Sequence, residues 1–190
     1  MAIVLASQSP RRQELLARIG VEDFKTLSLD IDESYPEGLS PEDTVRYIAK
    51  KKCDAAAALC APDDLIITAD TMVFLDNDRL GKPRDQEDAL RMLRALAGRG
   101  HTVCTGVSVR RGAQEERFAV STRVFFRQAT DDEIHAYIKT GEPMDKAGAY
   151  GVQSRGALFV ERIDGDFFNV MGLPVEQLGL VLARFGVKLL

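Results

Sequence analysis

Leu65-Ile66-Ile67-Thr68-Ala69 is an uncharged stretch of strand length that runs straight into Asp70. Continuous apolar character without alternation is what a strand buried on both faces requires, and such a strand must be covered on either side by other elements. The chain is therefore expected to build an α/β layer structure with this segment near its centre. Asp70 falls at the expected carboxyl end of the strand. A carboxylate there is costly to bury unless it meets a cation, a metal or a reacting water, and a structural cap is the competing reading for the residue taken alone.

The segments on either side alternate between strand and helix patterns. Ile3-Val4-Leu5-Ala6 reads as a first strand and Gln13 to Ile19 restarts with helical spacing, so Ser7-Gln8-Ser9-Pro10-Arg11-Arg12 is a strand-to-helix turn. Ser7 or Ser9 can cap that helix, Pro10 suits its first turn, and the unpaired N–H groups beside Arg11 and Arg12 form a place for an anion. The plainer reading is that the serines only cap and the arginines only solvate the helix. Phe24 to Leu29 reads as a strand, residues 30–38 as an acidic loop, and Ser40-Pro41-Glu42-Asp43 as the capped start of a helix reaching about Leu59. Met72 to Leu80 reads as a hairpin around Asp76-Asn77-Asp78, and residues 85–97 as a helix closed by Gly98. Thr102 to Arg110 and Phe118 to Arg127 are expected strands, Thr130 caps a helix ending near Gly141, Leu158 to Ile163 is a last strand, and Pro174 opens a final helix.

This mixture of helical crossovers and hairpins predicts a mixed sheet rather than a doubly wound dinucleotide-binding one. No GxGxxG follows a strand, and Gly81-Lys82 is followed by Pro83, so the P-loop pattern is absent as well. With 190 residues, 45% of them hydrophobic, one domain with its own core is expected, with two lobes around a central cleft. No basic-then-apolar leader and no long uncharged apolar run is present, so the expected setting is cytoplasmic, away from membranes. A net charge of −4 argues against a nucleic-acid surface, which needs a basic excess to displace counterions. Cys53, Cys60 and Cys104 have no CxxC spacing and read as small buried or half-buried hydrophobes; with only two histidines, His101 and His135, any metal is expected to be a hard cation held by oxygens.

Four cations, Arg11, Arg12, Lys52 and Lys82, are candidates to gather around Asp70 as a polyphosphate site, although each lysine alone reads as a solvated surface charge. Asp32 and Glu33 offer further oxygen ligands or simply an exposed acidic loop. In Asp145-Lys146-Ala147-Gly148-Ala149-Tyr150-Gly151-Val152-Gln153, small residues allow close backbone approach to a ligand and Gln153 can read a base edge; a glycine-rich connection is the alternative. Residues 165–174 read as a second such loop, with Phe167 and Phe168 expected in the core.

Taken in order, Ser7-x-Ser9-Pro10-Arg11-Arg12, Ala69-Asp70-Thr71, Gly81-Lys82-Pro83, the 145–153 segment and Asn169-Val170-x-Gly172-Leu173-Pro174 resemble the motifs of the Maf family of nucleoside triphosphate pyrophosphatases across essentially the whole chain. The resemblance implies an α/β fold with a mixed, elongated central sheet flanked by helices, of the Maf and ITPase-like kind. It implies hydrolysis of a nucleoside triphosphate between the α and β phosphates with a divalent cation, Mg2+ or Mn2+, and frequent homodimers. Carried onto this chain, Asp70 matches the general base and, with Glu33, a metal position; Ser7, Arg12, Lys52 and Lys82 match phosphate-binding positions. Arg11, Thr71 and Gln153 resemble the specificity residues of the branch acting on dTTP and UTP. Asp166 departs from the pattern, where serine is usual. A nucleotide-sensing regulator with little turnover is the alternative from another class.

Overall fold

The computed structural model describes all 190 residues. Seven strands, β1 (Ile3–Leu5), β2 (Phe24–Thr26), β3 (Leu65–Leu75), β4 (Asp78–Leu80), β5 (Gly100–Arg111), β6 (Gln114–Phe126) and β7 (Val160–Asp164), form one mixed sheet in the order β2-β1-β3-β5-β6-β7, with β4 paired to β3 outside that path, and helices flank it. By its internal contacts the chain divides into two compact units: residues 1–70, 105–120 and 172–190, and residues 71–104 and 121–171.

The first unit holds β1 (Ile3–Leu5), α1 (Pro10–Arg18), β2 (Phe24–Thr26), α2 (Pro41–Ala57), the opening half of β3 (Leu65–Leu75) and α6 (Val175–Arg184). β1 is parallel to both neighbours, with Leu5 opposite Thr26 on one side and Ile67 on the other. Leu5, Leu15, Leu16, Ile48, Leu65, Ile67, Leu178 and Leu182 are fully buried and make its core. α2 starts as its sequence dictates: Pro41 occupies the first turn, the Ser40 hydroxyl accepts the Asp43 N–H at 3.1 Å, and Glu42 and Asp43 sit at the positive end of the helix. α2 can lie close to β5 (Gly100–Arg111) because residue 106 is glycine; a Cβ there would stand 2.3 Å from the backbone carbon of Val45. Thr68 of β3 donates its hydroxyl to the Ala49 carbonyl at 2.7 Å, which locks the helix to the strand from the other direction.

The second unit holds the remainder of β3, β4 (Asp78–Leu80), α3 (Gln86–Leu96), the start of β5 and the end of β6 (Gln114–Phe126), α4 (Asp131–Ile138), β7 (Val160–Asp164) and the short α5 (Phe167–Met171). β4 is antiparallel to β3 and β7 antiparallel to β6. α4 opens on a reciprocal cap in which Thr130 and Glu133 each satisfy the other's backbone N–H.

Several expectations need correction. β3 does not stop at Ala69 but continues through Asp70 to Leu75, so Asp70 lies inside a long strand, not at its tip. The residues after Asp70, read as one arm of a separate hairpin, extend the same strand, and only the turn at 76–77 breaks it. β2 covers three residues rather than six: Phe24 to Thr26 pair with β1, and the ladder ends with the Leu27 N–H donating to the Leu5 carbonyl at 3.0 Å. Segment 165–174 contains a helical turn, α5, and its two phenylalanines are partly exposed rather than core; the buried residues of α5 are Asn169 and Met171, and Leu173 beyond it is fully buried. Cys53 and Cys104 are buried and Cys60 half-buried, all three free thiols.

Candidate active site

Strand periodicity and helix periodicity together place the central pair. Thr68 and Asp70 project from the same face of β3, two residues apart, and Ala49 and Lys52 lie on one side of α2, one turn apart. Since Thr68 is bonded to Ala49, the next pair along, Asp70 and Lys52, is brought within reach. Lys52 Nζ stands 2.8 Å from Asp70 Oδ1 and 2.9 Å from Glu33 Oε1. The Asp70 side chain is only 9% exposed and that of Lys52 14%, whereas Glu33 reaches in from an open loop at 57%. Two carboxylates thus share one ammonium ion.

The turn after β1 frames this cluster. Ser9 precedes α1 without capping it by its side chain, contrary to one sequence expectation; instead the Ser7 hydroxyl takes the Ser9 N–H at 3.2 Å and faces Arg12 Nη1 at 3.5 Å. Arg12 is a brace as well as a charge. Its Nε donates to the Gly172 carbonyl and its Nη1 to the Ala69 carbonyl, both at 2.8 Å, which pins the guanidinium beside Asp70. Burial pushes the Arg12 pKa down from its ordinary value, and the Asp70 charge partly offsets it. Arg11, partly exposed on α1, adds a second positive charge next to Arg12.

Ser7, Arg12, Glu33, Lys52 and Asp70 are therefore gathered in the first unit. Thr71, Lys82 and Gln153 belong to the second. There, Lys82 is exposed in the turn after β4, and the Gly81 carbonyl just before it accepts the Gly148 N–H at 3.1 Å. Gly148 has φ +69°, and a Cβ on it would press against Val73 of β3 at 2.8 Å, so only glycine lets the 145–153 segment settle here. The following Ala149 is also held at positive φ, +63°, fully buried, a strained backbone of the kind found at ligand-binding segments. Gln153 emerges from this segment exposed.

Asn169, one of the motif residues, is not at the surface of any site. It is fully buried and donates to the Val103 carbonyl and the Thr122 hydroxyl, tying α5 to β5 and β6. Asp166, where serine was expected, accepts the Phe168 N–H at 2.7 Å, a capping role that aspartate performs as well as serine. Sequence reasoning passed over Glu142, whose carboxylate accepts four hydrogen bonds in the second unit; its position in Gly141-Glu142-Pro143, directly ahead of the glycine-rich segment, was the available signal.

The donor set suits a hard divalent cation. Mg2+ is commonly held by one or two carboxylates and completed by substrate oxygens and water, and Asp70 with Glu33 supplies two carboxylates meeting at a common positive point. No cluster of three or more His, Cys, Asp or Glu side chains is present, so the protein alone would not form a closed metal cage.

Within a mixed α/β fold, one strand thus carries a buried carboxylate with a paired lysine and a bracing arginine, an arrangement of cations that suits an anionic ligand. The Maf-like protein family model matches residues 2–185, and the chain belongs to that family. It is 46% identical over 186 residues to a dTTP/UTP pyrophosphatase of Bacillus velezensis, covering 98% of this chain and 97% of the relative. It is 47% identical over 191 residues to a dTTP/UTP pyrophosphatase of Dictyoglomus turgidum, covering 99% and 98%. Among solved structures, the Staphylococcus aureus Ham1 protein shares the fold at a TM-score of 0.55 and 14% identity, over 97% of this chain and all of that one, and a HAM1 protein of Coxiella burnetii does so at 0.53 and 14%, over 97% and 99%.

Proposed function

We propose that this protein is a nucleoside triphosphate pyrophosphatase that converts dTTP and UTP to the monophosphate and pyrophosphate, clearing unwanted nucleotides from the cytoplasmic pool. The observation that carries the reading is the buried Asp70–Lys52 pair, joined by Glu33 from an open loop, in a chain nearly half identical, end to end, to relatives that bear this activity in their names.

Hydrolysis of a phosphoanhydride depends mainly on placing a water in line and neutralising charge on the departing pyrophosphate. Lys52 occupies Oδ1 of Asp70, and the carboxylate's other oxygen is offered to the water that attacks the α-phosphorus. As the new P–O bond forms, the water's proton passes to Asp70 and the bond to the bridging oxygen breaks, releasing pyrophosphate. Arg12, Lys52 and the Ser7 hydroxyl stabilise the negative charge that shifts toward the leaving oxygens. Asp70 and Glu33 are the residues that would hold Mg2+ or Mn2+. When bound, such an ion supplies Lewis-acid charge stabilisation at the phosphate oxygens. Lys82 is assigned to phosphate binding, and Arg11, Thr71 and Gln153 to base selection.

The test is release of pyrophosphate, with products identified, from a panel of triphosphates in the presence of Mg2+ or Mn2+. Hydrolysis of dTTP and UTP well above the purine triphosphates is expected. Binding without turnover would replace the hydrolase by a nucleotide-responsive regulator.

A further inference from the structure

Glu142 begins the 3-10 turn Glu142–Asp145 at the head of the segment that carries Gln153. Its Oε1 accepts hydrogen bonds from the Tyr137 hydroxyl at 2.8 Å, the Ser154 hydroxyl at 2.6 Å and the Gly156 N–H at 3.2 Å, and Oε2 accepts the Arg155 N–H at 3.3 Å. The Tyr137 hydroxyl in turn accepts the Gly151 N–H at 3.1 Å. Lys146 closes the near side of the segment, donating to the Glu142 carbonyl at 2.7 Å and to Asp145 at 2.6 Å. One carboxylate thus holds the chain on both sides of Gln153: directly at residues 154–156, and through Tyr137 at residue 151.

The platform behind it is closely packed. Tyr137 lies on α4 between the buried Ile134 and Ile138, and its ring meets Phe159 edge-on at 5.3 Å between centroids. Burial pushes the Glu142 pKa up, but the hydrogen bonds from Ser154, Tyr137, Gly156 and Arg155 outweigh it and leave the group below the ordinary carboxylate range. The anion is the form the surroundings are built for. By contrast, the Gln153 side chain is exposed and must take its direction from the backbone that bears it.

We infer that Glu142 is a positioning residue for base selection, fixing the backbone around Gln153 so that its amide meets the imide edge of a thymine or uracil. A primary amide offers one acceptor and two donors, which complements the N3–H and a ring carbonyl of such a base. The inference rests on the reading that Gln153 selects the base of a pyrimidine triphosphate.

The experiment compares kcat and KM for dTTP, UTP and dCTP in the wild-type enzyme and in Glu142→Ala, Glu142→Gln, Tyr137→Phe and Gln153→Ala, with melting temperatures recorded alongside. Losing a charge-assisted anchor of this kind is expected to raise KM for dTTP and UTP by about tenfold, with a smaller change in kcat and a reduced preference over dCTP. Glu142→Gln, which keeps an acceptor oxygen, should restore most of that preference, and Tyr137→Phe should lose part of it. An unchanged preference in Glu142→Ala, with Gln153→Ala clearly altered, overturns the role of Glu142 while leaving base selection by Gln153 intact. A loss of kcat and thermal stability uniform across all three triphosphates overturns it too, by reducing Glu142 to a structural support. If Gln153→Ala itself leaves the preference untouched, the underlying assignment of Gln153 fails first.

Discussion

Asp70 and Lys52 each depend on the other to be tolerable where they are. An aspartate with so little of its side chain exposed is ion-paired to one lysine, and removing that lysine leaves a buried anion with only the neighbouring Arg12 charge to offset it. Lys52→Met is therefore expected to cost about 3 kcal/mol of stability, most of which returns in the Lys52→Met/Asp70→Asn double variant; a denaturant cycle over the four proteins checks this. Asp70→Asn alone is nearly isosteric, so it should keep the fold and nucleotide affinity while lowering turnover by about two orders of magnitude, measured by pyrophosphate release beside equilibrium nucleotide binding. At this scale the sequence was legible where a residue's neighbours in the chain announced it: Asp70 after an apolar run, Arg12 after a proline, Lys82 in a tight turn. It was illegible where the partner is remote. Arg12 donates to a carbonyl 160 positions away, and Glu142 gathers groups from both before and after it, so no local pattern marks either bond.

Whether Lys52 reaches Asp70 is decided by how α2 lies against the sheet. Two contacts set that: the Thr68–Ala49 hydrogen bond and the close approach of Val45 to Gly106. Gly106→Ala places a methyl group against α2 backbone, which cannot swing aside as a side-chain tip would. The expected outcome is a loss of about 2 kcal/mol together with a fall in kcat, since displacing α2 carries Lys52 away from Asp70; chemical denaturation and kinetics on one preparation read both. Element identity was largely legible, because caps such as Ser40 and Thr130 and breakers such as Gly98 act through nearby backbone. Element extent was not. The true end of β3 is set by its ladder with β4, a tertiary pairing that the polar Asp70-Thr71 step conceals, and α5 is fixed by the buried Asn169 rather than by a helical pattern of its own.

For the molecule as a whole, pH reports on a group remote from the Asp70–Lys52 pair in sequence. His101 is buried on β5 with its Nε2 2.8 Å from the Tyr150 hydroxyl and its Nδ1 without a partner, packed edge-on against Phe126 and Tyr150. Burial lowers its pKa from 6.5 to about 4, so below pH 6.5 the unfolded chain takes up a proton that the folded one refuses. Stability is therefore full above pH 6.5 and falls as the pH drops toward 4, by about 3 kcal/mol in all. Urea titrations at several pH values should show this slope, and His101→Phe should flatten it. The path of the chain through the two units has a different kind of consequence. Their boundaries fall at 70/71, 104/105, 120/121 and 171/172, and the first three interrupt β3, β5 and β6 in mid-strand. No single splice point separates one unit from the other, so a hybrid made by crossing this gene once with that of a relative would inherit strands stitched from two parents. Lineages of such proteins are expected to diverge by point replacement, with the two halves of each shared strand changing in concert.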